Sequence, residues 1–184
     1  MSFAFRFIVL AAGCALGLSL LIGNLLIIFK QAPRLKSIQK EFEDPANTDL
    51  TVIVPAYNEE SKLEACLTSL LNSSDPCKKW NVILIDDCST DRTMEVAEEV
   101  KLRCKPLLDR FKILSAGTRP KGEKWVGKNW ACTRAMRDIK SEWVLFVDAD
   151  IETEKDTLKR ALKQAIEEDT DLLSLAPRIK CSCL

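Results

Sequence analysis

The sequence predicts an α/β domain with a mostly parallel sheet and helices on both of its faces, preceded by one transmembrane helix. Two patterns support this prediction. From Leu50 onward, short β-rich runs alternate with amphipathic helical patterns, which is typical of a parallel sheet covered by helices. Before that region, an uncharged apolar run occupies Phe7–Phe29. We therefore divide the chain into an anchor at 1–30, a juxtamembrane linker at 31–49 and a sheet domain at 50–184.

The apolar run Phe7–Phe29 is long enough for a membrane span, because a helix rises about 1.5 Å per residue and the hydrocarbon core is roughly 30 Å thick. A cleaved signal peptide is the main alternative, but its apolar region usually covers only about 7–15 residues. The basic residues that follow the run closely are Lys30, Arg34, Lys36 and Lys40. Because only Arg6 precedes the run, the positive-inside rule predicts a single-pass membrane protein with its sheet domain in the cytoplasm.

The first unit of the sheet domain begins with the apolar run Leu50–Val54, which predicts a buried strand that ends at Pro55. Asn58 is the expected N-cap of the next helix. The leucines of that helix recur at helical spacing and are Leu63, Leu67, Leu70 and Leu71.

The later units repeat this alternation. Further strands are predicted at Val82–Ile85, Phe111–Leu114 and Trp143–Val147, and a fifth is predicted to begin at Leu172–Leu175. The helices are expected around Thr93–Cys104, Asn129–Ile139 and Leu158–Ile166. In such sheets, ligands bind at the carboxyl ends of the strands, so the polar residues that follow the strands are the candidate functional residues.

Composition narrows the chemistry that those residues can perform. The 184 residues suffice for one domain with a sizeable core, and 27 basic residues balance 27 acidic ones, which argues against a general nucleic-acid binder. The chain has no histidine, so acid–base or metal chemistry falls to carboxylates. The 8 cysteines include no CxxC pair and are expected to be reduced, mostly buried thiols rather than a disulfide framework.

An acidic pair, Asp148-Ala149-Asp150, comes directly after the predicted strand Trp143–Val147. Two carboxylates one residue apart at a strand end can hold a hard divalent cation, with diphosphate oxygens completing its coordination shell. A metal in that position neutralises charge on a nucleotide-diphosphate leaving group. The alternative is structural, since acidic pairs also cap helices and turns.

Two further segments follow earlier strands. Asp86 and Asp87 end the second strand, and a carboxylate there could accept a hydrogen bond from the imide N–H of a uracil ring. The alternative for this segment is the capping of the next helix by Ser89, Thr90 or Asp91. After the first strand, Tyr57 could flank a base or simply cover the edge of the sheet.

Together these segments resemble the three successive signatures of family 2 glycosyltransferases, in the family's order and at its usual spacings. They are Val52–Glu60 (VIVPAYNEE), Val82–Asp91 (VILIDDCSTD) and Leu145–Asp150 (LFVDAD). The resemblance implies a GT-A fold, a nucleotide-diphosphate sugar as the donor and Mg²⁺ or Mn²⁺ as the cofactor.

By position in the motifs, the resemblance also implies a nucleotide-sugar site. Its residues would be Pro55, Ala56, Tyr57, Glu59, Asp86, Asp87, Asp148 and Ala149. Asp86 would contact the base, with Asp87 as a further contributor. Asp148 would lie near the ribose and diphosphate, and Asp148 and Asp150 would form the metal site.

A basic stretch, Arg119–Ala131, resembles the subgroup associated with hopanoid and other lipid-linked sugar transfer. Its lysines could contact phosphate oxygens, and Lys128 joins the predicted nucleotide-sugar site because it lies near a helix N-terminus, where anions are favoured. The other two lysines are Lys121 and Lys124. The alternative is a solvated basic turn.

The resemblance implies transfer of a sugar to a lipid or saccharide acceptor at the cytoplasmic membrane face, with inversion. A nucleotidyltransferase of related fold is disfavoured, because no Gly-rich loop follows the first strand. Family members continue well beyond the metal motif, so we expect a C-terminally truncated chain. The general base is expected beyond Leu184, and no catalytic residue is identified in this sequence. The second hypothesis is therefore a catalytically inactive fragment that binds a nucleotide-sugar.

Overall fold

The structure is a computed structural model, and it describes residues 3–31, 35, 48–104, 109–122 and 128–178. Nearly all of the predicted linker at 31–49 and the residues after 178 lie outside this description. The chain divides into two compact units, Met1–Leu35 and Lys36–Leu184.

Among the described residues of the first unit, Phe3–Gln31 form the helix α1. Its apolar side chains are exposed along much of its length, with Leu16 64% and Leu20 67% accessible. Among the described residues, however, no helix combines the length and the apolar character that crossing a bilayer requires. The predicted transmembrane helix is therefore not confirmed.

The second unit is built on a four-stranded sheet in the order β3-β2-β1-β4. Its strands are β1 at Asp49–Ala56, β2 at Lys79–Asp86, β3 at Phe111–Ser115 and β4 at Trp143–Phe146. Every neighbouring pair is parallel. The near-continuous burial of β1 explains its unbroken apolar run, because a parallel strand is covered on both faces. The first four predicted strands are confirmed.

Helices cover both faces of this sheet, as predicted. They are α2 at Leu63–Leu71, α3 at Thr93–Arg103, α4 at Asn129–Met136 and α5 at Thr157–Glu167. Because side chains alternate along a strand, Val52 and Val54 of β1 join the core formed with α2, α3 and α5. Ile53 points to the other face and packs with Trp130 and Ala131 of α4.

The predicted fifth strand is wrong. Residues 172–178 form no strand, and the side chain of Leu172 is 85% exposed. A strand is stabilised by hydrogen bonds to a neighbour, and no strand within the described part of the chain pairs with this segment. A short apolar run alone does not supply that neighbour.

The predicted N-cap of α2 is also wrong. Lys62, not Asn58, immediately precedes the helix, and no side chain caps it. The carbonyl of Glu59 instead accepts hydrogen bonds from the N–H groups of Lys62 and Leu63, at 3.1 and 2.9 Å. Asn58 adopts a positive φ of 55°, which asparagine tolerates better than most residues, and its side chain bonds to a different loop.

The cysteines form no disulfide among the described residues. Cys66 and Cys77 are buried, whereas Cys14 and Cys88 are exposed. The sequence predicted that most thiols would be buried, whereas only some of the described ones are.

Candidate functional site

The carboxyl ends of β1, β2 and β4 surround a cleft of about 440 Å³. Because parallel strands end at one edge of the sheet, motifs far apart in the sequence meet there. The residues that line the cleft are Pro55, Ala56, Tyr57, Glu59, Asp87, Arg119, Lys128, Asp148, Ala149 and Asp150. Of the predicted site residues, only Asp86 is absent from this lining.

Hydrogen bonds between the loops that follow β1 and β2 shape one side of the cleft. The N–H of Asn58 donates to Ser89 Oγ at 2.9 Å, and Asn58 Oδ1 accepts from the N–H of Thr90 at 2.8 Å. The N–H of Glu59 donates to Thr93 Oγ1 at 2.8 Å. These bonds hold the backbone directly after Tyr57, whose side chain stays 56% exposed.

The two acidic residues at the end of β2 have different surroundings. Asp86 is buried, and both of its carboxylate oxygens accept from the N–H of Ser89 at 3.2 Å. Asp87 is also buried, but its Oδ2 accepts from Arg119 Nη2 at 2.5 Å and its side chain lines the cleft. Asp86 therefore organises the loop, while Asp87 faces the space that a ligand would occupy.

The acidic pair after β4 is matched by two lysines. Lys128 Nζ donates to Asp148 Oδ1, and this hydrogen bond raises the pKa of Lys128, with burial of the ammonium as a smaller opposing effect. Lys62 Nζ lies 3.7 Å from Asp150 Oδ2. Both carboxylates remain accessible, at 57% for Asp148 and 44% for Asp150.

A buried thiol lies beneath this acidic pair. Cys66 Sγ donates to the carbonyl oxygen of Asp148 at 3.6 Å. The pKa of the Cys66 thiol is raised to about 12, mainly by burial. A hydrogen bond to the backbone of Ile151 opposes this rise in pKa, and the nearby carboxylates of Asp150 and Asp148 add to it. The thiol is therefore neutral at physiological pH, and it acts as a packing group rather than a nucleophile.

Sequence reasoning assigned no role to two residues of this arrangement. In the sequence, Arg119 is only the start of the basic stretch, and Lys62 lies outside the three motifs. Both form ion pairs with acidic residues that are distant in the sequence. The only signal for Arg119 was its place in the loop after β3; nothing in the sequence marked Lys62.

The other lysines of the basic stretch do not join the cleft. Lys121 is exposed and does not line it. Lys124 lies outside the described residues. Lys128 immediately precedes α4, so its predicted position near a helix N-terminus is confirmed.

The sequence profile described as Glycosyl transferase family 2 matches residues 51–182. The chain belongs to this family. The match contains all three motifs that border the cleft, so this family 2 domain places its signature residues around one cavity.

Among curated relatives, the Staphylococcus aureus poly(ribitol-phosphate) beta-N-acetylglucosaminyltransferase TarS is 32% identical over 67% of this chain and 20% of its own length. The 4,4'-diaponeurosporenoate glycosyltransferase of Staphylococcus haemolyticus is 31% identical over 88% of this chain and 40% of its own. The chain thus spans less than half the length of these two relatives.

Among solved structures, the mannosyltransferase PcManGT of Pyrobaculum calidifontis, in complex with GDP-Man and Mn²⁺, has a TM-score of 0.56 at 28% identity. The alignment covers 84% of this chain and 43% of that one. TarS 1-349 of S. aureus in complex with UDP-GlcNAc has a TM-score of 0.50 at 29% identity, over 66% and 32% of the two chains. These neighbours share the GT-A-like α/β fold of the family 2 domain.

The donor atoms of the domain fit a divalent cation only in part. Asp148 and Asp150 offer accessible carboxylates, the ligand type that Mg²⁺ prefers. Within the described residues, however, no group of three or more acidic or thiol side chains could hold a metal ion. The two carboxylates therefore suit a cation whose remaining ligands are water and the oxygens of a bound diphosphate, as is usual for Mg²⁺.

Proposed function

We propose that this family 2 domain binds a nucleotide-diphosphate sugar in the cleft, with a divalent cation at Asp148 and Asp150. The observation that carries the proposal is the meeting of three separate strand ends around one cavity, with carboxylates, cations and one aromatic side chain at its surface. The nucleotide-sugars in the neighbouring structures, UDP-GlcNAc in TarS 1-349 and GDP-Man in PcManGT, support it.

The nucleoside would lie between the first two loops. Tyr57 offers an exposed aromatic face beside Pro55 and Ala56. The family resemblance implies Asp86 as the contact to the base, but Asp86 does not line the cleft, and its oxygens accept from the loop N–H of Ser89. We therefore assign the contact to Asp87, which lines the cleft and can accept from the imide N–H of a uracil ring.

Charge explains why the donor would need a cation. The acidic residues that line the cleft are Glu59, Asp87, Asp148 and Asp150, and the basic ones are Arg119 and Lys128. The lining therefore carries an excess of negative charge, which repels a diphosphate. A divalent cation, when bound, supplies the opposing charge and stabilises the leaving diphosphate, while Lys128 contributes a second positive charge from this chain.

In the complete reaction, the hydroxyl of a lipid or saccharide acceptor attacks the anomeric carbon, the bond to the diphosphate breaks, and the configuration inverts. A general base must take the hydroxyl proton, a contribution typically worth about 10²–10⁴ in rate. None of the carboxylates described in the cleft lining suits this role, because Asp87, Asp148 and Asp150 have cationic partners and the family resemblance places Glu59 in the nucleotide-sugar site.

Because three of the four cleft carboxylates are paired with cationic side chains, a second candidate function is favoured, in which residues 1–184 bind the donor without transferring its sugar. A transfer assay separates the two functions. The purified chain is incubated with a labelled UDP- or GDP-sugar, Mn²⁺ and a membrane lipid extract, and release of the sugar is measured. Turnover above background supports the transferase, whereas donor binding with background turnover supports the binding domain.

We also propose a membrane location, with the apolar sequence run Phe7–Phe29 as the anchor and the sheet domain in the cytoplasm. The exposed leucines along α1 and the lysine and arginine residues after it support this proposal. A reporter that is active only in the cytoplasm, fused after Leu184, should be active in a membrane fraction that alkaline carbonate does not extract. Recovery in the soluble fraction, or an N-terminus shortened by cleavage, would contradict it.

A further inference from the structure

We propose that Lys62 competes with the divalent cation for Asp150, and that displacement of its ammonium group sets the cation concentration at which the donor binds. This inference rests on the metal-dependent donor binding proposed above. It assigns a role to a residue that lies outside the cleft lining and outside the three family motifs.

The backbone places Lys62 beside the cleft while leaving its side chain accessible. Its N–H donates to the carbonyl of Glu59, so the main chain is held between the first motif and α2. The side chain is 60% exposed, and its ammonium lies 3.7 Å from Asp150 Oδ2. A flexible four-carbon stem allows the ammonium to leave this position without any change in the backbone.

The two lysines that contact the acidic pair differ in how firmly they are held. Lys128 makes a hydrogen bond to Asp148 and lines the cleft, where it can pass to a diphosphate oxygen. The Lys62–Asp150 distance is beyond normal hydrogen-bond length, so that pair is held by Coulomb attraction alone. Exposed pairs of this kind contribute little stability, so Lys62 is the ammonium that a cation would displace first.

Lys62 and a divalent cation cannot both remain close to the same carboxylate. Each neutralises the charge on Asp150, and each repels the other at short range. While Lys62 is paired, Asp150 is a weaker ligand for the cation. Removal of the Lys62 charge should therefore strengthen cation binding, which is the opposite of the effect expected for a lysine that binds the diphosphate.

The test measures the apparent Mn²⁺ affinity of the full chain at saturating UDP, by electron paramagnetic resonance of unbound Mn²⁺. Lys62→Met should increase this affinity about two- to fivefold, the range expected for an exposed ion pair. Lys62→Arg keeps the charge, so its Mn²⁺ affinity should stay close to that of the parent. Lys78→Met, at another exposed lysine, is the matched control and should change nothing. The increase should shrink at high salt, because screening weakens the competing pair.

The outcomes distinguish this inference from the proposed function. Parent-like or weaker Mn²⁺ binding by Lys62→Met, beside a parent that binds UDP and Mn²⁺, overturns the role of Lys62 alone. An equal increase in Lys78→Met shows a general charge effect and also overturns it. If no variant and no parent chain binds Mn²⁺ with UDP, the proposed function fails and this inference fails with it.

Discussion

Asp86 and Asp87 are consecutive in the chain, yet their carboxylates have different partners. Asp86 accepts from the backbone N–H of Ser89, whereas Asp87 pairs with Arg119 at the surface of the cleft. The register explains the difference, because β2 ends at Asp86 and successive side chains point in opposite directions at a strand end. Residues of the same type, one position apart, thus stabilise a loop and line the cleft.

The first prediction separates these two carboxylates. Asp87→Asn should weaken UDP binding about 10- to 100-fold, because it removes a charged acceptor for the base, and such bonds are worth roughly 1.5–3 kcal/mol. Asp86→Asn retains an oxygen for the Ser89 N–H, so its UDP affinity should stay near that of the parent. Calorimetric titration gives both affinities, and thermal melting checks that both variants fold. The reverse order of effects would return the base contact to Asp86.

The second prediction concerns the metal site. Asp150→Asn should remove most of the Mn²⁺-dependent part of the nucleotide affinity, because it deletes a charged ligand of a hard cation. The melting temperature should change little, since the Asp150 carboxylate is 44% exposed. Asp138→Asn, at an exposed acidic residue away from the cleft lining, is the control and should bind like the parent. If Asp150→Asn binds UDP and Mn²⁺ as the parent does, Asp150 is only a structural acid.

The third prediction follows from the buried thiol below the acidic pair. Because burial raises the pKa of Cys66 to about 12 from its ordinary value of 9.0, the unfolded chain loses this proton first as the pH rises. The stability that the neutral thiol contributes should be complete below about pH 9 and should be lost progressively towards pH 12. Denaturant titrations between pH 8 and 10.5 should show that the free energy of unfolding falls less for Cys66→Ala than for the parent. This comparison does not depend on the starting stability of the variant. An equal fall in the free energy of unfolding for both chains would contradict the raised pKa of Cys66.

The fourth prediction uses the difference in exposure between two cysteines. Iodoacetamide at pH 8 should label the exposed Cys88 and should leave the buried Cys66 unmodified until the chain is unfolded. Peptide mass spectrometry after a timed reaction measures both residues in one sample. Rapid labelling of Cys66 in the folded chain would show that the core between α2 and the acidic pair is open.

Much of the sheet and of the cleft could be predicted from local sequence. β1 and β2 are buried on both faces, so their apolar runs stand out, and the residues after them meet at one edge because the strands are parallel. The run Leu172–Leu175 has a similar composition, but none of the described strands pairs with it. Composition reports the tendency to form a strand, whereas a strand also requires a partner.

The ion pairs of the cleft could not be predicted in the same way. Lys62 and Arg119 look like ordinary solvated residues, and their acidic partners are brought close only by the fold. The role of Asn58 is likewise not determined by the local sequence. Its side chain could cap a helix or bond to the loop after β2, and the tertiary structure selects the second.

The most direct test of the proposed function is calorimetric titration of the full chain with UDP and with GDP, each in the presence and absence of Mn²⁺. The arrangement of Asp87, Asp148 and Asp150 in one cleft predicts that at least one nucleotide binds and that Mn²⁺ strengthens this binding. The absence of binding by either nucleotide under both conditions would contradict a nucleotide-sugar site in this chain.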